Sequence, residues 1–283
     1  MSDRRRITGP VNRIIPTIPT PPTKISPSPP KSSSSSSSPP QFYLKTNLIQ
    51  NSNGSAYIEI EGTIIQVSIF GPRPIRGSFT ERASLSVETK FLPHINQPCS
   101  INFNNSEASS SSSNMTQIEH RLSSYLENCM LPSILLEKYP KSTIDIQVSV
   151  IAMDPRRVHG QSGLLWLMSW IVVCASMAVV DTGIEVRDIV SSGCVKLVQS
   201  SGKVVVGGDV DREEDEESES AGTTALVSFM NMNNNEIVGV WMESDSSQEM
   251  SESEMALLID ECCRMSTLVR ANLNSYLINS YAS

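Results

Sequence analysis

The sequence predicts an α+β domain, and three observations carry that reading: short alternating β-branched segments, two stretches at helical spacing, and an almost unbroken apolar run at 164–180. Tyr57-Ile58-Glu59-Ile60 and the run 63–70 alternate as two strands, with Glu61-Gly62 as the tight turn between them. Residues 82–92 alternate again through Leu85, Val87 and Phe91 and predict a third strand. The pattern then shifts: Ile118, Leu122, Leu126 and Met130 share one face of a helix expected over 116–136, which Tyr139-Pro140 would break. Residues 144–150 give a strand, and the apolar run follows it. Ile184 and Val186 follow Gly183 into a turn. Short strands are expected at 195–198, 204–206, 225–230 and 237–241, and a last helix at 253–277 with Met255, Leu258, Ile259, Cys262 and Leu268 on its apolar face.

The rest of the chain is compositionally biased. Residues 10–40 are rich in Pro, Ser and Thr, including seven serines at 32–38, and cannot bury enough apolar surface to offset ordering entropy. A disordered tail is therefore expected over 1–45 and a single folded domain over 46–283. The domain carries a serine-rich insertion at 104–114 and an acidic loop at 209–221, both read as surface features.

The formal charge of −8 argues against a nucleic-acid binder until its distribution is considered. Residues 209–219 hold eight acids and one arginine, and the first fifty residues hold seven bases against Asp3 alone. Such segregated runs are solvated loops and tails. Cys99, Cys129, Cys174, Cys194, Cys262 and Cys263 form no CxxC pair, and His94, His120 and His159 are scattered. Reduced thiols and no metal site are the expectation. No apolar segment follows the arginines at 4–6 as a secretory signal would require. The run 164–180 is near the lower length limit for crossing a bilayer, but Ser169 and Ser176 interrupt it and Asp181-Thr182-Gly183 ends it, so it is read as a buried core helix.

Several local signatures, in order, resemble the RNase PH family and its exosome branch. They are Asn53-Gly54-Ser55-Ala56-Tyr57-Ile58-Glu59, Gly71-Pro72-Arg73, Tyr139-Pro140-Lys141-Ser142 leading into Ile144-Asp145-Ile146, and Asp181-Thr182-Gly183-Ile184-Glu185-Val186-Arg187-Asp188. Arg73-Pro74-Ile75-Arg76-Gly77-Ser78-Phe79-Thr80, with Asp3-Arg4-Arg5-Arg6 and Gly9-Pro10, narrows the resemblance to one branch of ring subunits. The resemblance runs from about 48 to 276. It implies a single RNase PH-like domain of two βαβα-type halves, including a left-handed βαβ unit contrary to the usual rule.

The resemblance also says where chemistry would sit. Active relatives carry a hydroxyl and an arginine where the chain enters the buried helix, at the positive end of the helix dipole; here Ser162-Gly163 is followed by Leu164-Leu165. Ser162 is left with a helix-capping role. Active relatives also carry two aspartates six residues apart just before a strand. The later position falls here on Ala221 or Gly222, and Asp209 and Asp215, though correctly separated, lie too far ahead of that strand. No GxSxG, GxxxxGK[ST] or HExxH motif is present.

The expectation is thus no catalytic residue, no metal and no cofactor. What remains is a basic cluster, Arg73, Arg76 and Arg82, that contacts RNA phosphates or pairs with acids across a subunit interface. The implied function is a structural subunit of a six-membered RNase PH-like ring with OB-fold and KH caps and an associated exonuclease. RNA would be guided through the channel, in nucleus, nucleolus and cytoplasm, with no membrane partner. The alternative is a phosphorolytic 3'-to-5' exoribonuclease completed by a ring neighbour.

Overall fold

The computed structural model describes residues 40–77, 79–98, 116–159, 162–198, 203–206, 222–230, 234, 236–244 and 250–282. The serine-rich insertion and the acidic loop lie outside these residues, as does the expected tail up to residue 39. The tail boundary at 45 needs correcting, because Phe42–Thr46 forms strand β1, antiparallel to β2 (Gly54–Ile60), with Leu44 buried.

Five strands make the first sheet: β1, β2, β3 (Thr63–Pro74), β4 (Ser84–Phe91) and β5 (Ser142–Ala152), in the order β1-β2-β3-β5-β4. The β2–β3 hairpin turns on Glu61 and Gly62, both at positive φ (45° and 77°), the conformation that two-residue hairpins require. β4 and β5 pair in parallel, and helix α1 (Gln117–Met130) is in the connection between them. Thr116 and Glu119 form a reciprocal capping box at the start of α1.

α1 stops at Met130, short of the expected 136. Pro132 has no N–H to continue the ladder and its ring clashes with the preceding turn. A 3-10 turn at Leu136–Lys138 follows instead.

The second sheet is antiparallel throughout, in the order β7-β6-β8-β9, from β6 (Ser191–Val198), β7 (Lys203–Val206), β8 (Gly222–Met230) and β9 (Glu236–Ser244). Short α2 (Pro155–His159) leads into α3 (Gly163–Thr182), which packs on β2 and β3 of one sheet and on β6 and β8 of the other. With apolar partners on both sides, α3 has no polar face to show. By length and composition it could cross a membrane, yet 94% of its most apolar stretch is buried inside the protein, as the core-helix reading expects.

Helix α4 (Glu252–Ala282) covers the opposite face of β6 and β8. Its buried stripe is Leu258, Cys262, Met265, Val269 and Leu273. Met255 and Leu268, expected on that face, are exposed, and Ile259 is half-buried. Apolar residues occur all round this helix, so periodicity alone did not fix which stripe faces the sheet. β8 is buried along its entire length because α3 lies on one face and α4 on the other.

Candidate functional site

Two places bear on function: the entrance to α3, and the segment after β3. At the first, Leu164 and Leu165 are completely buried in the main core and Gly163 is pressed against α2; a Cβ there would fall 1.9 Å from the Arg157 carbonyl oxygen. Ser162 precedes the helix but its side chain makes no capping hydrogen bond, so the capping role expected for it is not realised.

A cation does stand at this entrance, and sequence reading missed it. Arg157, on α2, is 4% exposed, ion-pairs with Glu61 of the β2–β3 turn and stacks with its guanidinium 3.8 Å from the Trp166 ring centroid. The signal that could have found α2 was Asp154-Pro155, an acceptor followed by proline at the first helical position, and the Asp154 carbonyl accepts from the N–H groups of Arg157 and Val158. Burial in this arrangement fits Arg157 for holding α2, the hairpin turn and α3 together.

The second carboxylate position of active relatives also meets a barrier. Gly222 opens β8, and a Cβ on it would lie 2.6 Å from the Leu197 carbonyl oxygen. No side chain fits at 222 without moving the neighbouring strand. Asp209, Asp215 and Ala221 lie outside the described residues.

The basic cluster divides. Arg73, at the end of β3, ion-pairs with Asp145 of β5, so its acid partner is in its own chain. The irregular register between β3 and β5, where Phe70 faces Asp145 and Arg73 faces Thr143, brings the two side chains together. Nothing local in the sequence signals that pairing. Arg76 and Arg82 are exposed and have no ion-pair partner among the described residues.

Around them the chain is stapled: Ile75 N–H donates to the Lys141 carbonyl (3.1 Å), Lys141 N–H to the Thr80 carbonyl (3.0 Å) and Ala83 N–H to the Leu136 carbonyl (3.0 Å). Lys141 itself, at φ 52°, is exposed in the middle of this knuckle.

Four buried cysteines have their thiols held in the protonated form. Burial pushes Cys129 up to about 11 and Cys194 up to about 12, and raises Cys174 and Cys262 as well. Among the described residues, no three His, Cys, Asp or Glu side chains converge as a metal site would need.

Residues 41–185, which span the first sheet and α3, match the RNase PH model, described as the 3' exoribonuclease family, domain 1. The chain belongs to that family. Among curated relatives, the exosome complex component mtr3 of Schizosaccharomyces pombe is 26% identical over 98% of this chain and 96% of its own length. Exosome complex component MTR3 of Chaetomium thermophilum is 29% identical over 71% of this chain and 73% of its own. The RNase PH fold is found again in solved structures: rice Rrp46, at TM-score 0.63 and 17% identity, covers 85% of this chain and 96% of that one. A chain of the Archaeoglobus fulgidus exosome with RNA bound to the active site reaches TM-score 0.58 at 14% identity, covering 83% and 88%. Within this RNase PH family, then, the chain has the expected α+β fold, and its α3 entrance is filled by leucines and by an arginine already engaged.

Proposed function

We propose that this chain is a non-catalytic subunit of an RNA exosome ring, scaffolding RNase PH-like neighbours beneath OB-fold and KH caps and helping guide RNA through the channel to an associated exonuclease. Its work would then be the 3'-to-5' processing and degradation of ribosomal, messenger and other RNAs in nucleus, nucleolus and cytoplasm. A relative that carries the name of an exosome component and extends over nearly the whole chain supports the ring assignment.

One observation carries the loss of catalysis. Leu164 and Leu165, both fully buried, occupy the helix entrance where phosphorolysis needs a hydroxyl and a guanidinium for inorganic phosphate. A leucine side chain donates no hydrogen bond, so neither Leu164 nor Leu165 can hold a phosphate dianion. The same pocket would serve phosphorolysis and its reverse, so both fail together.

The test is phosphate-dependent release of nucleoside diphosphates from RNA by the purified full chain, with co-purification of ring partners as the companion measurement. No release above a mock preparation and recovery in a complex of RNase PH-like chains are expected. Release by the isolated chain would overturn the non-catalytic reading; release only after a ring partner is added would favour a shared site.

A further inference from the structure

Phe79 is 70% exposed, more than any other described large apolar side chain except Tyr281, and it sits at the tip of the knuckle between Arg76 and Arg82. Exposing a phenyl ring to water is unfavourable, at about 25 cal/mol per Å² of apolar surface, so a loop that holds one out invites a partner. The surroundings say which kind. Among the described residues that flank it in the knuckle, Pro74, Arg76, Thr80, Glu81, Arg82 and Lys141 are exposed and Ile75 is half-buried, so most of its neighbours along the knuckle are polar. A protein-binding aromatic usually lies at the apolar centre of its patch, with charge at the rim. Here the knuckle that carries the ring also carries three exposed cations, Arg76, Arg82 and Lys141, against one carboxylate in the loop, Glu81.

Cations that follow a phosphate backbone, with an aromatic face on which a base can lie, are what sequence-tolerant binding of single-stranded nucleic acid requires. The knuckle also has its ordering cost largely met in advance. Lys141 bonds backbone groups on both sides of the tip, at Ile75 and Thr80, and Ala83 is bonded to Leu136. Gly77, at φ 138°, permits a bend that a side chain at that position would strain.

Resting on the RNA-guiding reading above, we propose that Phe79 is a base-stacking platform for single-stranded RNA, with Arg76, Arg82 and Lys141 holding the flanking phosphates. Arg73 takes no part in it, because its guanidinium is held by Asp145. The platform is indifferent to base identity, since every base has a π-face, but it discriminates a base from an empty sugar.

That difference is the test. Binding of oligoadenylate and of an abasic oligonucleotide of the same length is measured by fluorescence anisotropy, on the isolated full chain and on the ring that contains it. Phe79→Ala should weaken oligoadenylate binding about tenfold and leave the abasic strand unchanged; Phe79→Trp should restore it. Neutralising Arg76, Arg82 and Lys141 to glutamine should weaken both strands alike. Equal affinity of wild type and Phe79→Ala for oligoadenylate would overturn the proposal, as would binding of RNA by neither the chain nor its ring. If Phe79→Ala instead keeps the chain out of the ring, the ring is a protein contact and the stacking assignment falls. Failure of the wild-type chain to join any ring, with the Phe79 effect intact on the isolated chain, would overturn the exosome reading and leave the platform standing.

Discussion

The entrance to α3 and the knuckle after β3 each hold a cation, but their fates differ. At α3, Arg157 is buried, stacked on Trp166 and paired with Glu61, and the leucines beside it complete an apolar seal. At the knuckle, Arg76 and Arg82 reach into solvent from a loop whose backbone is stapled and whose side chains are not. The difference separates two uses of a family fold. A site that must grip a small dianion needs its cation unsatisfied and pre-aimed, whereas a site that only touches a passing polyanion needs exposed charge on a firm base. On the function proposed above, the first has been turned into core in this chain and the second retained.

The most severe way to break that contrast is to put charge back where the seal is. Leu164→Asp places a carboxylate in a completely buried position between the two sheets. We expect a loss of more than about 4 kcal/mol, among the largest single-residue effects, and a fall in Tm of at least roughly 10 °C. Thermal unfolding and gel filtration check it. A soluble, monodisperse variant with unchanged Tm would mean that the entrance is an open pocket after all.

A smaller effect sharpens the same side of the comparison. Arg157→Ala removes the stack on Trp166 and frees Glu61, which is 39% exposed and can be hydrated. That partial exposure limits the penalty, and the cost should be about 2 kcal/mol, seen as a Tm drop of roughly 4–8 °C. Because the role is structural, the variant should bind RNA as wild type does once folded. Loss of RNA binding at unchanged stability would instead place Arg157 on an RNA-contacting surface.

These two variants also mark how far the sequence could be read. The β2–β3 hairpin and β5 were legible because alternation, turn residues and one-sided burial agree there. The burial of Leu164 and Leu165 was legible too, since they begin an apolar run that Asp181-Thr182-Gly183 ends, as a core helix would. β1 was not: five residues following a Pro- and Ser-rich stretch show little pattern of their own, and their pairing with β2 is what makes them a strand. Nor was the stripe of α4 that meets the sheet, or Arg157, whose burial depends on a turn about a hundred residues earlier in the chain. The basic cluster was read as three equivalent arginines because all three lie in one short segment at and after the end of β3. Asp145, which pairs with Arg73 and sets it apart from the other two, comes from a different strand.

That division of the cluster gives the last prediction, and the smallest effect in it. For single-stranded RNA, each phosphate contact contributes about 0.7 to the slope of log affinity against log salt. Neutralising Arg76 and Arg82 to glutamine should therefore flatten the slope by about 1.4 for the assembled ring, with base preference unaltered because phosphates carry no sequence information. Adding Arg73→Gln should change almost nothing, since its charge is already opposed by Asp145 within the chain. The triple variant would then match the double, and Asp145→Asn, which releases Arg73, should steepen the slope toward that of one further contact. If instead the triple flattens the slope by about 2.1, as three equal contacts would, the Arg73–Asp145 pair gives way to RNA. If the double variant is excluded from the ring, Arg76 and Arg82 belong to a subunit interface. Either result moves the boundary between the satisfied and the available cation, which the α3 entrance and the knuckle otherwise place on opposite sides.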